Sequence, residues 1–133
     1  TEGLFPGDFY RACIVNFQNF AKSYPDSDYN EELAFKLVEV SATYAERSVF
    51  DKREERFEQS LGFAEDFKKK YPESEYLKEV INIQSEAKAR LDDHYALKAQ
   101  YEARTAEALK RREEEQKKQE DSEATEVLQE EGN

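Results

Sequence analysis

The sequence predicts an all-α protein: a solenoid of about four helices packed as hairpins, the last of which continues into a long charged extension. Three observations support this fold class. Only 4 glycines and 3 prolines occur among 133 residues, too few for the turns of a β-sandwich. Apolar residues recur at steps of three and four, which is the period of a helix. One motif also occurs twice, 47 residues apart, as in stacked helical repeats.

The composition excludes several classes of function. A net charge of -11 argues against binding to nucleic acid or anionic lipid, because both carry negative charge. No stretch approaches the roughly 20 apolar residues that span a bilayer, and the N-terminus has no apolar core of the signal-peptide type. One Cys and one His leave too few ligands or nucleophiles for most metal and catalytic sites. We therefore predict no catalytic residues, no cofactor and no metal.

The first two predicted helices differ in the width of their apolar face. The first follows Pro6-Gly7-Asp8, with Asp8 as its N-cap, and ends before Pro25, because a residue that precedes proline avoids the helical conformation. Its apolar residues form one stripe: Tyr10, Cys13, Ile14, Phe17, Phe20, Ala21 and Tyr24. The second covers about residues 28–48, and its apolar residues occupy most of the circumference. We expect it in the middle of the structure, covered on more than one side.

The later helices carry single apolar stripes. The polar run over residues 50–56 is predicted to connect to a third helix, which begins near Phe57 and ends at Pro72. The fourth is predicted to begin near Ser74, with no clear stop before the charged C-terminal segment. No aromatic residue follows Tyr101, and that segment is too polar to fold alone. We therefore expect packed helices over residues 1–95, and a charged helical extension with a flexible tail over residues 96–133.

The repeat places the chain reversals. Seven residues recur at an offset of 47: Phe20/Phe67, Lys22/Lys69, Tyr24/Tyr71, Pro25/Pro72, Ser27/Ser74, Tyr29/Tyr76 and Glu32/Glu79. Proline prevents the helix from continuing, and the serine that follows is predicted to cap the next helix. The same register pairs Cys13 with Ser60, two small residues that predict close approach of helices. We expect Cys13 to be buried, since free cysteine packs as a small hydrophobic residue.

Two motifs resemble a known family. Tyr10-x-x-Cys13-Ile14-x-x-Phe17-x-x-Phe20-x-x-x-Tyr24-Pro25-Asp26-Ser27 resembles the second helix of a tetratricopeptide (TPR) repeat, in the variant common in periplasmic TPR lipoproteins. Ala45-Glu46-Arg47-Ser48-Val49, leading into Lys52-x-x-Glu55-Arg56-Phe57, is similar to BamD-like lipoproteins of the outer-membrane β-barrel assembly machinery, in their Bacteroidetes-type form. The resemblance covers about residues 8–91.

The resemblance implies a fold, a function and partners. It implies an incomplete TPR-type solenoid that acts as a non-enzymatic scaffold at the periplasmic face of the outer membrane. Its implied partners are the BamA-type barrel subunit, through a POTRA domain, and other subunits of the assembly machinery. It further implies that this chain is the C-terminal half of a longer, lipid-anchored protein, with the export signal, the anchor and further repeats before Thr1.

A basic cluster is the candidate partner-binding site. Four cationic residues lie between the second and third predicted helices of an otherwise acidic chain: Arg47, Lys52, Arg53 and Arg56. They are expected to meet an acidic partner surface, or else to pair locally with neighbouring glutamates such as Glu46, Glu54 and Glu55. Two other functions stay open, namely a different periplasmic TPR adaptor of the cell envelope or of division, and a coiled-coil component that associates through its tail.

Overall fold

The computed structural model describes residues 6–132, which contain four α-helices and no β-strand. The helices are α1 (Pro6–Ser23), α2 (Asn30–Glu46), α3 (Phe50–Lys70) and α4 (Leu77–Glu131). The predicted all-α class, with four helices and a long last one, is confirmed. The contacts divide the chain after His94, into a unit built from α1, α2, α3 and the first part of α4, and a unit formed by the rest of α4.

Two predictions at the starts of helices are wrong. Asp8 is not an N-cap, because α1 already begins at Pro6 and Asp8 lies in its first turn. Residues 50–56 do not form a connection, because α3 begins at Phe50, directly after the extended residue Val49 (φ -62°, ψ 155°). The charged residues there form the first two turns of α3, where Asp51 suits the positive end of the helix dipole. The connection from α2 to α3 is therefore only residues 47–49.

Two turns with the same backbone hydrogen bonds reverse the chain, and we call them the first Tyr-Pro turn (residues 24–29) and the second Tyr-Pro turn (residues 71–76). In the first, the Tyr24 N–H donates to the Phe20 carbonyl over 2.8 Å, and the Ser27 N–H donates to the Tyr24 carbonyl over 3.1 Å. The corresponding bonds of the second turn measure 2.8 and 3.2 Å. The repeat in the sequence is therefore a repeat in backbone geometry.

The serine side chains stabilise these turns and do not cap the helices that follow. Ser27 Oγ accepts the Tyr29 N–H over 3.2 Å, and Ser74 Oγ accepts the Tyr76 N–H over 3.1 Å. The following helices begin only at Asn30 and Leu77. This is the local pattern in which a serine side chain bonds the backbone two residues further on and so stabilises a turn.

The core joins three helices in two clusters. α2 contacts both α1 and α3, as its broad apolar surface predicts. The first cluster takes buried residues from α2, α3 and α4: Phe35, Val38, Ala64, Phe67 and Val80. The second takes buried residues from the same three helices nearer the α2–α3 connection: Ala45, Phe57, Ala87 and Leu91. The first part of α4 is therefore a structural element of the first unit.

The second unit is the solvated part of α4. Every side chain over residues 99–132 is exposed, among them Tyr101, Leu109 and Val127. Glu107 and Arg111 form an ion pair one helical turn apart, which supports an exposed helix by a few tenths of a kcal/mol. Across the part of the chain that the structure describes, no helix combines the length and apolarity needed to cross a membrane.

The paired small residues Cys13 and Ser60 have different surroundings. Ser60 is fully buried, at 1% exposed, whereas Cys13 is only partly buried, so the prediction of a buried Cys13 is wrong. We expect Ser60→Leu to lower the free energy of unfolding by about 1–3 kcal/mol through overpacking, and Cys13→Leu, the matched control, to lower it by less. Urea unfolding of both variants measures this, and equal losses would contradict it.

Glu65 joins α3 to α4 through a polar group. Gln84 Nε2 donates to Glu65 Oε1 over 2.6 Å, and Lys68 Nζ donates to the same oxygen over 3.1 Å. Both bonds lower the pKa of Glu65 below its ordinary value, and the bond from Gln84 has the larger effect. A carboxylate whose pKa is lower in the folded than in the unfolded state stabilises the fold when the pH is above the unfolded-state pKa. This stabilisation is lost as the pH falls through the folded-state pKa.

We therefore expect Gln84→Ala to raise the pKa of Glu65 towards its ordinary value, with Lys69→Ala, whose effect is only a longer-range charge, raising it less. The wild-type protein should also lose a small part of its stability as the pH falls below the ordinary glutamate range, about 4.3. Titration of the Glu65 carboxyl by NMR measures the shifts. An unshifted pKa in the wild type, or a larger effect of Lys69→Ala, would contradict this role for Gln84.

Candidate functional site

The candidate site lies where the start of α1, the end of α2 and the start of α3 meet. Tyr44, near the C-terminus of α2, is 6% exposed and contacts charged groups from both neighbouring helices. Arg11 of α1 donates to its hydroxyl over 3.5 Å, and the Arg56 guanidinium lies 4.1 Å from the centre of its ring. A cation over an aromatic face is stabilised by about 0.5–2 kcal/mol, depending on desolvation.

Arg56 also fixes the connection between α2 and α3. Its guanidinium donates to Ser48 Oγ over 2.7 Å, and Ser48 Oγ in turn donates to the Tyr44 carbonyl. Ser48 is buried, so its hydroxyl depends on these protein partners. Arg56 is therefore an integral part of the fold in addition to being a positive charge.

Arg53 bonds two backbone carbonyl groups, one at the end of α2 and one in the connection that follows it. Its Nε donates to the Ser48 carbonyl over 3.0 Å, and a terminal nitrogen donates to the Glu46 carbonyl over 3.4 Å. The last carbonyls of a helix lack partners within the helix, and a basic side chain there also complements the negative end of the dipole. Arg53 thus caps α2 from the first turn of α3.

Arg47 and Lys52 are the exposed members of the predicted cluster. The Arg47 guanidinium donates to the Tyr10 hydroxyl over 2.7 Å and lies 5.8 Å from the centre of that ring. The Lys52 side chain is exposed, and its ammonium makes no ion pair or hydrogen bond among the described residues. Of the four predicted residues, these two present their charge most freely to a partner.

The arginines of the cluster also have partners that the sequence did not indicate. The arginines bond to tyrosines, a serine and backbone carbonyls, while the Glu46 carboxylate pairs with Arg90 of α4. Arg11 is an exposed cation that the prediction missed, because it is 36 residues from Arg47 in the sequence. The hydrogen bond to Tyr44 raises the pKa of Arg11 above its ordinary value. In the sequence near Arg11, only the neighbouring Tyr10 indicates that this arginine lies beside the basic cluster.

The chemistry available at this site is donation of hydrogen bonds by cations. Arg11, Arg47 and Lys52 are exposed around the α1–α2–α3 junction of an acidic chain, and guanidinium and ammonium groups bind carboxylates well. Within residues 6–132, no group of three or more His, Cys, Asp or Glu side chains is placed to hold a metal ion. The arrangement thus fits recognition of an acidic surface.

Comparison of the sequence with protein-family models finds no match, and comparison with curated proteins finds none either.

Removal of Arg56 tests its structural role. We expect Arg56→Leu to lower the free energy of unfolding by about 1–3 kcal/mol, because it removes the contact with the Tyr44 ring and one of the two hydrogen bonds of a buried hydroxyl. Lys52→Leu, an exposed site two residues into α3, is the matched control and should change stability by less than about 0.5 kcal/mol. Urea unfolding measures both, and equal effects would contradict a structural role for Arg56.

Proposed function

We propose that this chain is a non-enzymatic scaffold that docks a protein partner through the exposed cations at the α1–α2–α3 junction. The observation that carries the proposal is the exposure of Arg11, Arg47 and Lys52 around the α1–α2–α3 junction of a chain whose net charge is -11. Exposed cations on an acidic protein favour contact with acidic partner surfaces. Arg53 and Arg56, the partly buried members of the cluster, hold the backbone that presents the exposed cations.

A TPR-type solenoid is the architecture that fits this scaffold best. Its support is the pair of Tyr-Pro turns, which repeat the same backbone hydrogen bonds 47 residues apart. The period is longer than the 34 residues of a regular TPR, because α3 alone has 21 residues. The repeat is therefore TPR-like with lengthened helices. In such a solenoid each helical hairpin packs against the next, and the surface so formed holds partner proteins in place.

The partner that we propose is a POTRA domain of the BamA-type subunit of the outer-membrane β-barrel assembly machinery. The support is the similarity of residues 45–57, which contain the α2–α3 connection, to BamD-like lipoproteins. On this proposal the protein acts at the periplasmic face of the outer membrane, held there by a lipid anchor in its full-length form. Other subunits of the machinery would bind elsewhere on the same scaffold.

Reversal of the charge of Lys52 tests the docking surface. We expect Lys52→Glu to weaken binding to the isolated POTRA domains of the barrel subunit by roughly three- to tenfold at low salt, with a smaller effect at high salt. The matched control is Lys88→Glu, the same charge change at an exposed position of α4 outside this cluster. Titration calorimetry with the 133-residue chain measures the affinities. Reversal of Arg53 or Arg56 would be less informative, since both hold the α2–α3 connection.

Two results would contradict the proposal. Equal weakening by Lys52→Glu and Lys88→Glu would show that only net charge matters, and would remove this cluster from the interface. Absence of binding between the wild-type chain and the POTRA domains would favour the other adaptor functions, in which a different envelope protein is the partner.

A further inference from the structure

A cavity of about 280 Å³ lies between the end of α1, the start of α2 and the end of α3. Its lining includes two exposed lysines from different helices, Lys22 of α1 and Lys70 of α3. It also includes four partly buried apolar side chains: Phe17, Leu33, Leu37 and Tyr71. We call this site the lysine cavity.

The charge of the lysine cavity is opposite to that of the chain. No described Asp or Glu lines it, although the sequence contains 31 such residues. Asp26, Asp66 and Glu73 lie within four residues of Lys22 or Lys70 in the sequence. Among residues 6–132, however, neither lysine forms an ion pair. Both ammonium groups are therefore available to an external carboxylate.

The 47-residue register assigns no segment of the chain to this cavity. The cavity lies on the side of the α1–α2 pair that faces α3, and α3 itself contributes to its lining. Two lining residues, Gln18 and Leu37, correspond one repeat later to Glu65 and Gln84. Those two side chains bond to each other over 2.6 Å. The second repeat thus joins its two helices at this place through its own side chains, and only the first repeat leaves the cavity.

The C-terminal segment of α4 has the complementary chemistry. Residues 120–131 contain six acidic residues and no basic one. Val127 and Leu128 are the only large apolar residues after Leu109, and they are 52% and 69% exposed. Glu131 follows them by four and three residues and so lies on the same face of the helix. The segment therefore presents two aliphatic side chains beside a carboxylate.

We propose that the lysine cavity binds the C-terminal segment of a second copy of this chain. Leu128 packs against the apolar lining residues, with Val127 beside it, and acidic residues of the segment bind Lys22 and Lys70. α4 is a single helix as far as Glu131, and it would have to break to return to its own cavity, so the contact joins two copies. The cavity contains none of the cations of the docking surface, so this inference does not depend on POTRA binding.

The size of the contact predicts a weak, reversible association. One end of a helix in a cavity of about 280 Å³ buries less than the roughly 1,200 Å² that a stable complex needs. Each copy has one cavity and one segment, so two copies can exchange segments with two-fold symmetry and form the contact twice. We expect a dimer whose Kd lies in the micromolar to millimolar range.

Substitutions in the segment test the apolar part of the contact. We expect the full 133-residue chain to associate as its concentration rises, and Leu128→Ser to weaken this association by at least about tenfold. The matched control is Leu109→Ser, the same change at another exposed position of the helix (53%), which should leave association unchanged. Sedimentation equilibrium measures both, and circular dichroism checks that the variants fold.

Charge reversal in the cavity tests the ionic part of the contact. We expect the double variant Lys22→Glu, Lys70→Glu to weaken association by at least about tenfold. The matched control is Lys78→Glu, Lys88→Glu, the same charge change at two exposed positions of α4 outside the cavity, which should weaken it less. A labelled peptide of residues 120–133 should also bind the wild-type chain in fluorescence anisotropy, and the same peptide with Leu128→Ser should not.

Four results would overturn the inference. A chain that stays monomeric up to about 1 mM would exclude the dimer. Equal weakening by both leucine variants would assign the association to the length of α4, and equal weakening by both lysine pairs would reduce it to net charge. Peptide binding by a chain that stays monomeric would assign the cavity to an acidic segment of another protein. None of these results bears on POTRA binding, which is measured with the Lys52 variant.

Discussion

A tyrosine followed by proline ends both α1 and α3, and the remainder of the first unit depends on this constraint. Proline removes one backbone donor and prevents another helical turn, so the chain must reverse where the preceding tyrosine N–H makes its last helical bond. The serine two residues after the proline then closes the turn twice, with its N–H and with its hydroxyl. Because both reversals are built alike, each delivers the next helix to an equivalent position, and α2 can lie between α1 and α3 with apolar residues on several faces.

The α2–α3 connection uses a different principle, since it contains neither proline nor glycine. Three residues suffice because side chains supply what the backbone lacks. Arg53 bonds the Glu46 carbonyl at the end of α2 and the Ser48 carbonyl of the connection, and Arg56 donates to the buried Ser48 hydroxyl. The same connection also carries two exposed cations, Arg47 and Lys52. On the proposed docking function this connection combines two roles, because the partly buried arginines hold the backbone and the exposed cations are available to a partner.

Local chemistry explains which features the sequence could predict. The Tyr-Pro turns and the central position of α2 follow from proline and from hydrophobic periodicity, which act over a few residues. The start of α3 was missed because its first two turns are charged and carry no apolar stripe before Phe57. The composition revealed the basic cluster, but it did not reveal the Arg47–Tyr10 and Arg11–Tyr44 contacts, since contacts across more than 30 residues arise only after the helices pack. The incomplete burial of Cys13 has the same origin, because burial depends on what covers α1.

The 47-residue register has a consequence for how this protein can vary in length. Duplication of one whole 47-residue repeat would reproduce a Tyr-Pro turn and a three-residue connection in the right order. An added hairpin would therefore meet compatible surfaces on both sides. A deletion or insertion of one residue within α2 would instead rotate everything beyond it by about 100° and move Phe35 away from Tyr76. Length changes should thus be tolerated as complete units or within the solvated end of α4, and selected against inside the packed helices.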